Sequence, residues 1–326
     1  MSSPKLIAFG EALIDFLASP SNAENVNESF VKYPGGAPAN VAVAAAKLGI
    51  NSHFVGQVGE DSFGRFLADC LADYGVNIEN MRFSQAAKTA LAFVSLDSDG
   101  ERTFEFYRQA SADILYRAEY FDSAWFNQGL GIFHTCSNTL TDENITEASL
   151  AGMALAEQAG WLISCDVNLR SNLWPNGSPD KERVIDWVMQ AHIIKASMEE
   201  LVELTQDPMA LIQETLANKA QVFVLTDGAN SVRYFTKTLK GEVQTPKVDV
   251  KDTTAAGDAF VGGLLAQLIR LAPSVQACAA LEQASWQSIL HYAVASGACA
   301  VTEYGAYPAL PSQEDVAGML KNLEVS

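Results

Sequence analysis

Residues 252–263 read DTTAAGDAFVGG. Two carboxylates, Asp252 and Asp258, bracket two threonines and a run of very small residues. The segment from Ala255 to Arg270 has the composition of a helix, with Thr253-Thr254 before its first turn. The first N–H groups of a helix have no partner inside it and point toward incoming negative charge, assisted by the helix dipole. Small side chains at Ala255, Ala256 and Gly257 leave those groups accessible, which suits a developing phosphoryl anion. A carboxylate repels phosphate, but Asp258 can take the proton of a hydroxyl that attacks it. The same residues also read as a Gly/Ala-rich helix packed closely on a neighbour, with Asp252 as a cap.

The surrounding chain narrows the choice. No G-x-x-x-x-G-K-[ST] loop occurs, which argues against a P-loop enzyme. No G-x-G-x-x-G follows the first strand candidate, Leu6–Gly10, so a dinucleotide fold lacks its usual signal. Residues 38–49, PANVAVAAAKLG, read as a helix with Pro in its first turn and Gly past its end. Leu67, Cys70, Leu71 and Tyr74 share one helical face. Strand candidates recur at Gly131–Thr135, Trp161–Val167, His192–Ala196 and Gln221–Thr226, mostly with helical segments between them. This alternation predicts an α/β fold whose mainly parallel sheet is sandwiched by helices. Thr89 to Tyr107 departs from it: two strand-like runs meet around Asp99-Gly100, a hairpin signal that predicts a separate small sheet. Ser312-Gln313-Glu314-Asp315 resembles a capping box opening a last helix.

Composition excludes several function classes. The chain has 326 residues, enough for one large core or a core with a small appendage. Its 21 Lys and Arg against 39 Asp and Glu give a net charge of −18, which argues against nucleic acid and anionic membranes as partners. The five cysteines are scattered without a C-x-x-C pair, so free thiols in a reducing cytoplasm are expected. The N-terminal residues lack the pattern of a secretory signal, and no apolar run is long enough to span a bilayer. His53, His134, His192 and His291 show no zinc spacing. Trp125, Trp161 and Trp187 are expected in the core.

Six motifs then occur in one order: FGEALIDF at 9–16, GGAPANVAVAAAKLG at 35–49, VGQVGEDSFG at 55–64, FYRQASADILY at 106–116, CDVNLRSNLWPNG at 165–177 and DTTAAGDAF at 252–260. With these the chain resembles the ribokinase-like (PfkB-type) sugar kinases over nearly its whole length, and among them most closely the fructokinases. The resemblance implies a single Rossmann-like domain with a β-sheet lid built from about residues 12–36 and 89–113. It implies transfer from MgATP to a sugar hydroxyl, the one on C6 of fructose, and a homodimer formed through the lid.

Carried over position by position, Asp258 matches the catalytic base, and Ala255, Ala256 and Gly257 the anion hole. Arg170 matches a cation near the transferring phosphate. Asp15, Gly35, Gly36 and Asn40 match sugar-binding positions, and Arg108 a lid arginine near the substrate. Glu200 matches the acid that orders Mg²⁺ through water. Ser197, Thr226, Gly228, Gly257 and Val294 fall at nucleotide-binding positions. Asp252, Thr254, Ala300, Glu303 and Gly305 match ligands of a monovalent cation such as K⁺, although Ala309 lacks the hydroxyl found there in relatives. Ser197 replaces the usual amide of N-x-x-E, and TDGANS at 226–231 replaces a T-L-G-x-x-G loop. The rival readings are a 2-keto-3-deoxygluconate kinase, which would use Arg108 on the substrate carboxylate, a nucleoside kinase with a base-stacking lid aromatic, and a non-catalytic sugar-binding protein.

Overall fold

The structure, a computed structural model, describes residues 3–18, 29–96 and 102–324. Its strands are β1 (Lys5–Phe9), β2 (Leu13–Ala18), β3 (Phe30–Gly35), β4 (Asn51–Val55), β5 (Gln57–Gly59), β6 (Arg82–Ser84), β7 (Leu91–Leu96), β8 (Arg102–Tyr107), β9 (Gly131–Cys136), β10 (Leu162–Asp166), β11 (Ile193–Ser197), β12 (Val222–Thr226), β13 (Val232–Phe235) and β14 (Lys240–Val243). The helices are α1 (Ala37–Lys47), α2 (Ser62–Asp73), α3 (Glu143–Gln158), α4 (Lys181–Val188), α5 (Met198–Leu204), α6 (Pro208–Asn218), α7 (Ala256–Leu271), α8 (Val275–Ala279), α9 (Gln283–Ala300) and α10 (Gln313–Glu324).

Eight strands form the main sheet in the order β14-β13-β12-β11-β10-β9-β1-β4. From β4 to β12 every pairing is parallel; β13 and β14 extend the sheet as an antiparallel hairpin. The inner strands are apolar on both faces because both faces are covered. Alternate residues feed opposite layers. Ile7, Phe133, Ile163, Ile194 and Phe223 join the core under α3 to α6. Leu6, Ile132, Leu162, Ile193 and Val222 join the core under α1, α7 and α9. Each sequence-predicted strand of this sheet is present, shifted by a residue or so; β4 and the β13–β14 hairpin were not foreseen. Trp161 and Trp187 are fully buried and Trp125 packs against the same core.

A separate four-stranded sheet, in the order β3-β2-β7-β8, lies within the two expected lid windows. The hairpin pairing of β7 with β8 is present, and the Asp99-Gly100 turn between them lies outside the described residues. At the other end of the chain, Ser312 accepts from the Asp315 N–H and Asp315 accepts from the Ser312 N–H, the reciprocal cap expected for α10.

Helix α7 lies close to its neighbours because Gly262 and Gly263 face them. A Cβ on Gly262 would collide with that of Ala44 on α1, and one on Gly263 with Ser296 on α9. Gly318, on α10, has nothing within 4 Å of such a Cβ. Gly262→Val is therefore expected to destabilise the fold by about 1–3 kcal/mol through overpacking. Gly318→Ala should be neutral or stabilise by up to about 1 kcal/mol through helix propensity. Urea unfolding midpoints of the two variants check this, and equal midpoints would contradict the close α1–α7 approach.

Candidate active site

The loop before α7 is built around Asp252, which is 3 % exposed. Its Oδ1 accepts from the Thr254 N–H at 2.7 Å and its Oδ2 from the Gly305 N–H at 2.9 Å. The N–H groups of Lys251 and Asp252 both donate to the Val301 carbonyl, at 2.8 and 3.3 Å. The chain then turns through Ala255, which holds a left-handed conformation (φ 57°, ψ 11°), and α7 begins at Ala256. That conformation costs a non-glycine residue roughly 1–2 kcal/mol. Its location, at the mouth of the helix N-terminus, makes the strain a pointer to function.

The N-terminus of α7 opens into a cleft of about 650 Å³. The cleft lies beyond the C-terminal ends of β1, β9, β10 and β11, where open α/β sheets place their ligands. Glu11, Asn138, Asp166 and Lys195 come from those strand ends; Gly36, Ala37 and Asn40 come from the start of α1; Leu13, Asp15 and Phe106 come from the second sheet. Residues 168–173, Glu200 and residues 253–258 complete the lining.

Asp258 is 9 % exposed and sits in the first turn of α7. Its Oδ2 accepts from Asn40 Nδ2 at 2.7 Å. Burial raises its pKa above the ordinary carboxylate value, while the Asn40 bond and the Arg170 and Lys195 cations work the other way. Lys195 is buried, with Nζ 3.0 Å from Asp166 Oδ1. A Cβ on Gly257 would have that Nζ 3.6 Å away, so the ammonium faces the mouth of α7. The Asp166 and Glu200 carboxylates hold it protonated against its burial.

A basic carboxylate beside open helix N–H groups, with two cations over the same space, is an arrangement for moving a phosphoryl group onto a hydroxyl. A model of the pfkB family of carbohydrate kinases matches residues 3–313. The chain belongs to that family. It is 43% identical over 319 residues to "Probable fructokinase-6, chloroplastic" of Arabidopsis thaliana, covering 96% of this chain and 82% of that one. Among solved structures it is similar to a fructokinase with bound ATP from Xylella fastidiosa, with a TM-score of 0.92 and 43% identity, covering 98% of this chain and 99% of the other. It is also similar to a fructokinase from Vibrio cholerae O395 in a fructose-, ADP- and calcium-bound form, with a TM-score of 0.85, 32% identity and coverage of 97% and 99%.

In this kinase the residues expected from the sequence fall into three groups. Asp15, Gly36, Asn40, Glu200, Arg170 and 254–258 line the cleft together. Gly35 borders it through Asp15, whose carboxylate occupies the space a Cβ on Gly35 would take. A second group lies apart from the lining. Ser197 caps α5 by accepting from the Glu200 N–H, and it pairs in register with Thr226 at the adjacent strand end. Gly228 follows in an exposed turn, where Asn230 also binds the Asp227 carboxylate. Val294 is buried in the core beneath α9. The third group is the set expected to hold a monovalent cation. Asp252, Thr254 and Gly305 are joined by the two bonds above, Ala300 is fully buried, and the exposed Glu303 pairs with Lys251 at 3.4 Å.

Arg108 requires a correction. It does not line the cleft but lies buried behind its wall. Its Nε is 2.6 Å from Asp113 Oδ2, Nη1 donates to Thr141 Oγ1 at 3.0 Å and Nη2 to the Asn138 carbonyl at 2.9 Å. The guanidinium thus holds up Asn138. The sequence reading missed Glu11, Asn138, Asp166 and Lys195. Three of them are charged residues within or just after an apolar strand run, a signal for a buried charge with a purpose. Two of the histidines make local contacts: His134 contacts Ser164, and His192 accepts from the Ile163 N–H. Among the described residues no cluster of three or more His, Cys, Asp or Glu could hold a metal.

Two predictions follow from the base. Asp258→Asn keeps the shape but cannot take a proton, so turnover should fall roughly a hundredfold to ten-thousandfold while sugar binding persists. Steady-state rates with calorimetry on the sugar check this, and near-normal kcat would remove Asp258 as base. Because the base works only when ionised, kcat/KM should fall as pH drops through a pKa above the ordinary carboxylate value. Asn40→Ala deletes a bond that favours the ionised form, so the acid limb of the kcat/KM profile should move to higher pH.

Proposed function

We propose that the chain is an ATP-dependent fructokinase that phosphorylates the C6 hydroxyl of fructose. The observation that carries this reading is the Asn40-bound Asp258 at the open N-terminus of α7, facing Arg170 and Lys195 across one cleft. The hydroxyl oxygen attacks the γ-phosphorus in line, its proton passes to Asp258, and the bond to the β-phosphate bridging oxygen breaks. The backbone at 255–257, where among the described residues only the Ala256 N–H is engaged, by the Thr253 carbonyl at 3.3 Å, and the two cations oppose the charge that builds on the transferring group. Asp15, the Gly35-Gly36 turn and Asn40 bind sugar hydroxyls, with Leu13 and Phe106 of the lid covering them from water.

Nucleotide is assigned to the strand-end groups around Ser197, Thr226 and Gly228. Mg²⁺ fits the oxygen donors at the same end: Glu200 has its carboxylate oriented by the Ser197 N–H at 2.7 Å and the Leu169 N–H at 3.0 Å, so it is poised to act through water. Bound there, the ion supplies charge neutralisation of the phosphates. A K⁺ ion is assigned to the loop of Asp252, Thr254, Ala300, Glu303 and Gly305, and the outward Val31 and Tyr107 of the lid sheet support a homodimer through the lid. No described helix is long and apolar enough to cross a membrane; five free thiols support a reducing compartment such as the cytoplasm.

The neutral sugar is favoured over 2-keto-3-deoxygluconate by Arg108. Its charge is already paired with Asp113, and the sugar end of the cleft carries the carboxylates of Glu11 and Asp15. An ADP-release screen with MgATP over fructose, ribose, 2-keto-3-deoxygluconate and nucleosides is expected to give the highest kcat/KM for fructose. A higher value for the sugar acid would overturn the substrate assignment, and no acceptor-dependent ADP release would overturn the kinase reading.

A further inference from the structure

Helix α1 begins without a cap of its own. Its N-cap is Gly36, in a left-handed conformation (φ 105°), and its first turn contains no acidic residue. The N–H of Ala37, the first helical residue, donates instead to Glu11 Oε1 at 3.2 Å, across from the loop that follows β1. The same oxygen accepts from Asn138 Nδ2 at 2.9 Å, in the turn that follows β9. Glu11 is 1 % exposed, and its Oε2 has no hydrogen-bond partner among the described residues. The Gly36 backbone lies against the Glu11 main chain, where a Cβ would come within 2.5 Å of the Glu11 carbonyl oxygen. Three separate turns therefore converge on one desolvated carboxylate oxygen. Such an anion also complements the positive end of the α1 dipole.

Asn40 stands on that same first turn. Its backbone N–H donates to the Gly36 carbonyl at 2.8 Å and its Nδ2 to Asp258 Oδ2 at 2.7 Å. We propose that Glu11 is the positioning residue of the acceptor side: by holding the Ala37 N–H and the Asn138 amide on one oxygen, it sets where α1 starts, and so where Asn40 holds the base against the attacking hydroxyl. Glu11 acts on Asp258 only through α1 and Asn40. This inference rests on the kinase reading above, and it assigns a function to a carboxylate that the reaction itself does not use.

The test compares Glu11→Ala, Glu11→Gln and Ala37→Pro with the wild type. Gln retains an oxygen that can accept both bonds. Pro at the first helical position removes the Ala37 donor and is compatible with the helix. With fructose and ATP varied separately, Glu11→Ala is expected to lower kcat/KM for fructose by about 10- to 100-fold, the range for losing a buried bond to a charged group. The KM for ATP should stay within about twofold of the wild type, Glu11→Gln should recover most of the loss, and Ala37→Pro, which removes one of the two bonds to the carboxylate and leaves Asn138 on it, should cost less than Glu11→Ala, about 2- to 10-fold. A well-folded Glu11→Ala with wild-type fructose kinetics would overturn the proposal; so would equal damage from Gln and Ala, or no effect of Ala37→Pro. If Glu11→Ala does not fold, the other two variants decide. The Asn40 side-chain amide resonance, read without substrate, separates this from the choice of sugar. It should move in Glu11→Ala and Ala37→Pro and stay in place in Glu11→Gln. Indifference of that resonance to the loss of Glu11 would overturn the positioning role whichever acceptor the enzyme uses.

Discussion

Both oxygens of Asp252 are engaged by backbone N–H groups of two different loops, and the rest of the site hangs from that carboxylate. With the two bonds to Val301, it fixes the loop that delivers Ala255 into its left-handed turn. That turn sets the start of α7 at the wall of the cleft, with the Ala256 N–H donating to the Thr253 carbonyl at 3.3 Å. The glycines farther along α7 then let the helix lie against α1 and α9, which brings Asp258 within reach of Asn40. The residues proposed as anion hole and base, and the base's Asn40 partner, are thus placed by one anchored loop and one closely packed helix.

Both signs of charge line the cleft: Glu11 and Asp15 stand on one set of elements, and Arg170 and Lys195 stand among the carboxylates of Asp166, Glu200 and Asp258. Lys195 is kept charged in a buried position by Asp166, and the pair stays desolvated between two interior strands of the sheet. A fixed cation of this kind needs no rearrangement as the reaction proceeds, which is the physical advantage of preorganisation over solvent. Arg108, with an equal charge, contributes nothing similar, because Asp113 and the wall behind Asn138 already hold its donors.

The parallel sheet was legible in the sequence because both its faces are covered, so its strands read as short apolar runs between helical periods. The α7 segment was legible because its chemistry is local: small residues and an acid within one turn. Glu11 and Asn138 were not, since their roles come from three turns that meet only after β1 and β9 pair. Arg108 was misread for the same reason. A guanidinium in a lid motif looks free until Asp113, five residues on, is seen to fold back onto it. Val294, read from the sequence as a nucleotide-binding position, is a small apolar side chain buried in the core beneath α9.

The pair Asn40 and Asp258 spans 218 residues of chain. Long-range contacts of this kind form late, because the loop they close must lose its entropy first. As the chain leaves the ribosome, Asp15, Gly36 and Asn40 all precede the helix that brings the base. A chain stopped anywhere before α7 would carry Asp15, Gly36 and Asn40 without Asp258, so on the proposed roles competence for the reaction is withheld until α7 has been made.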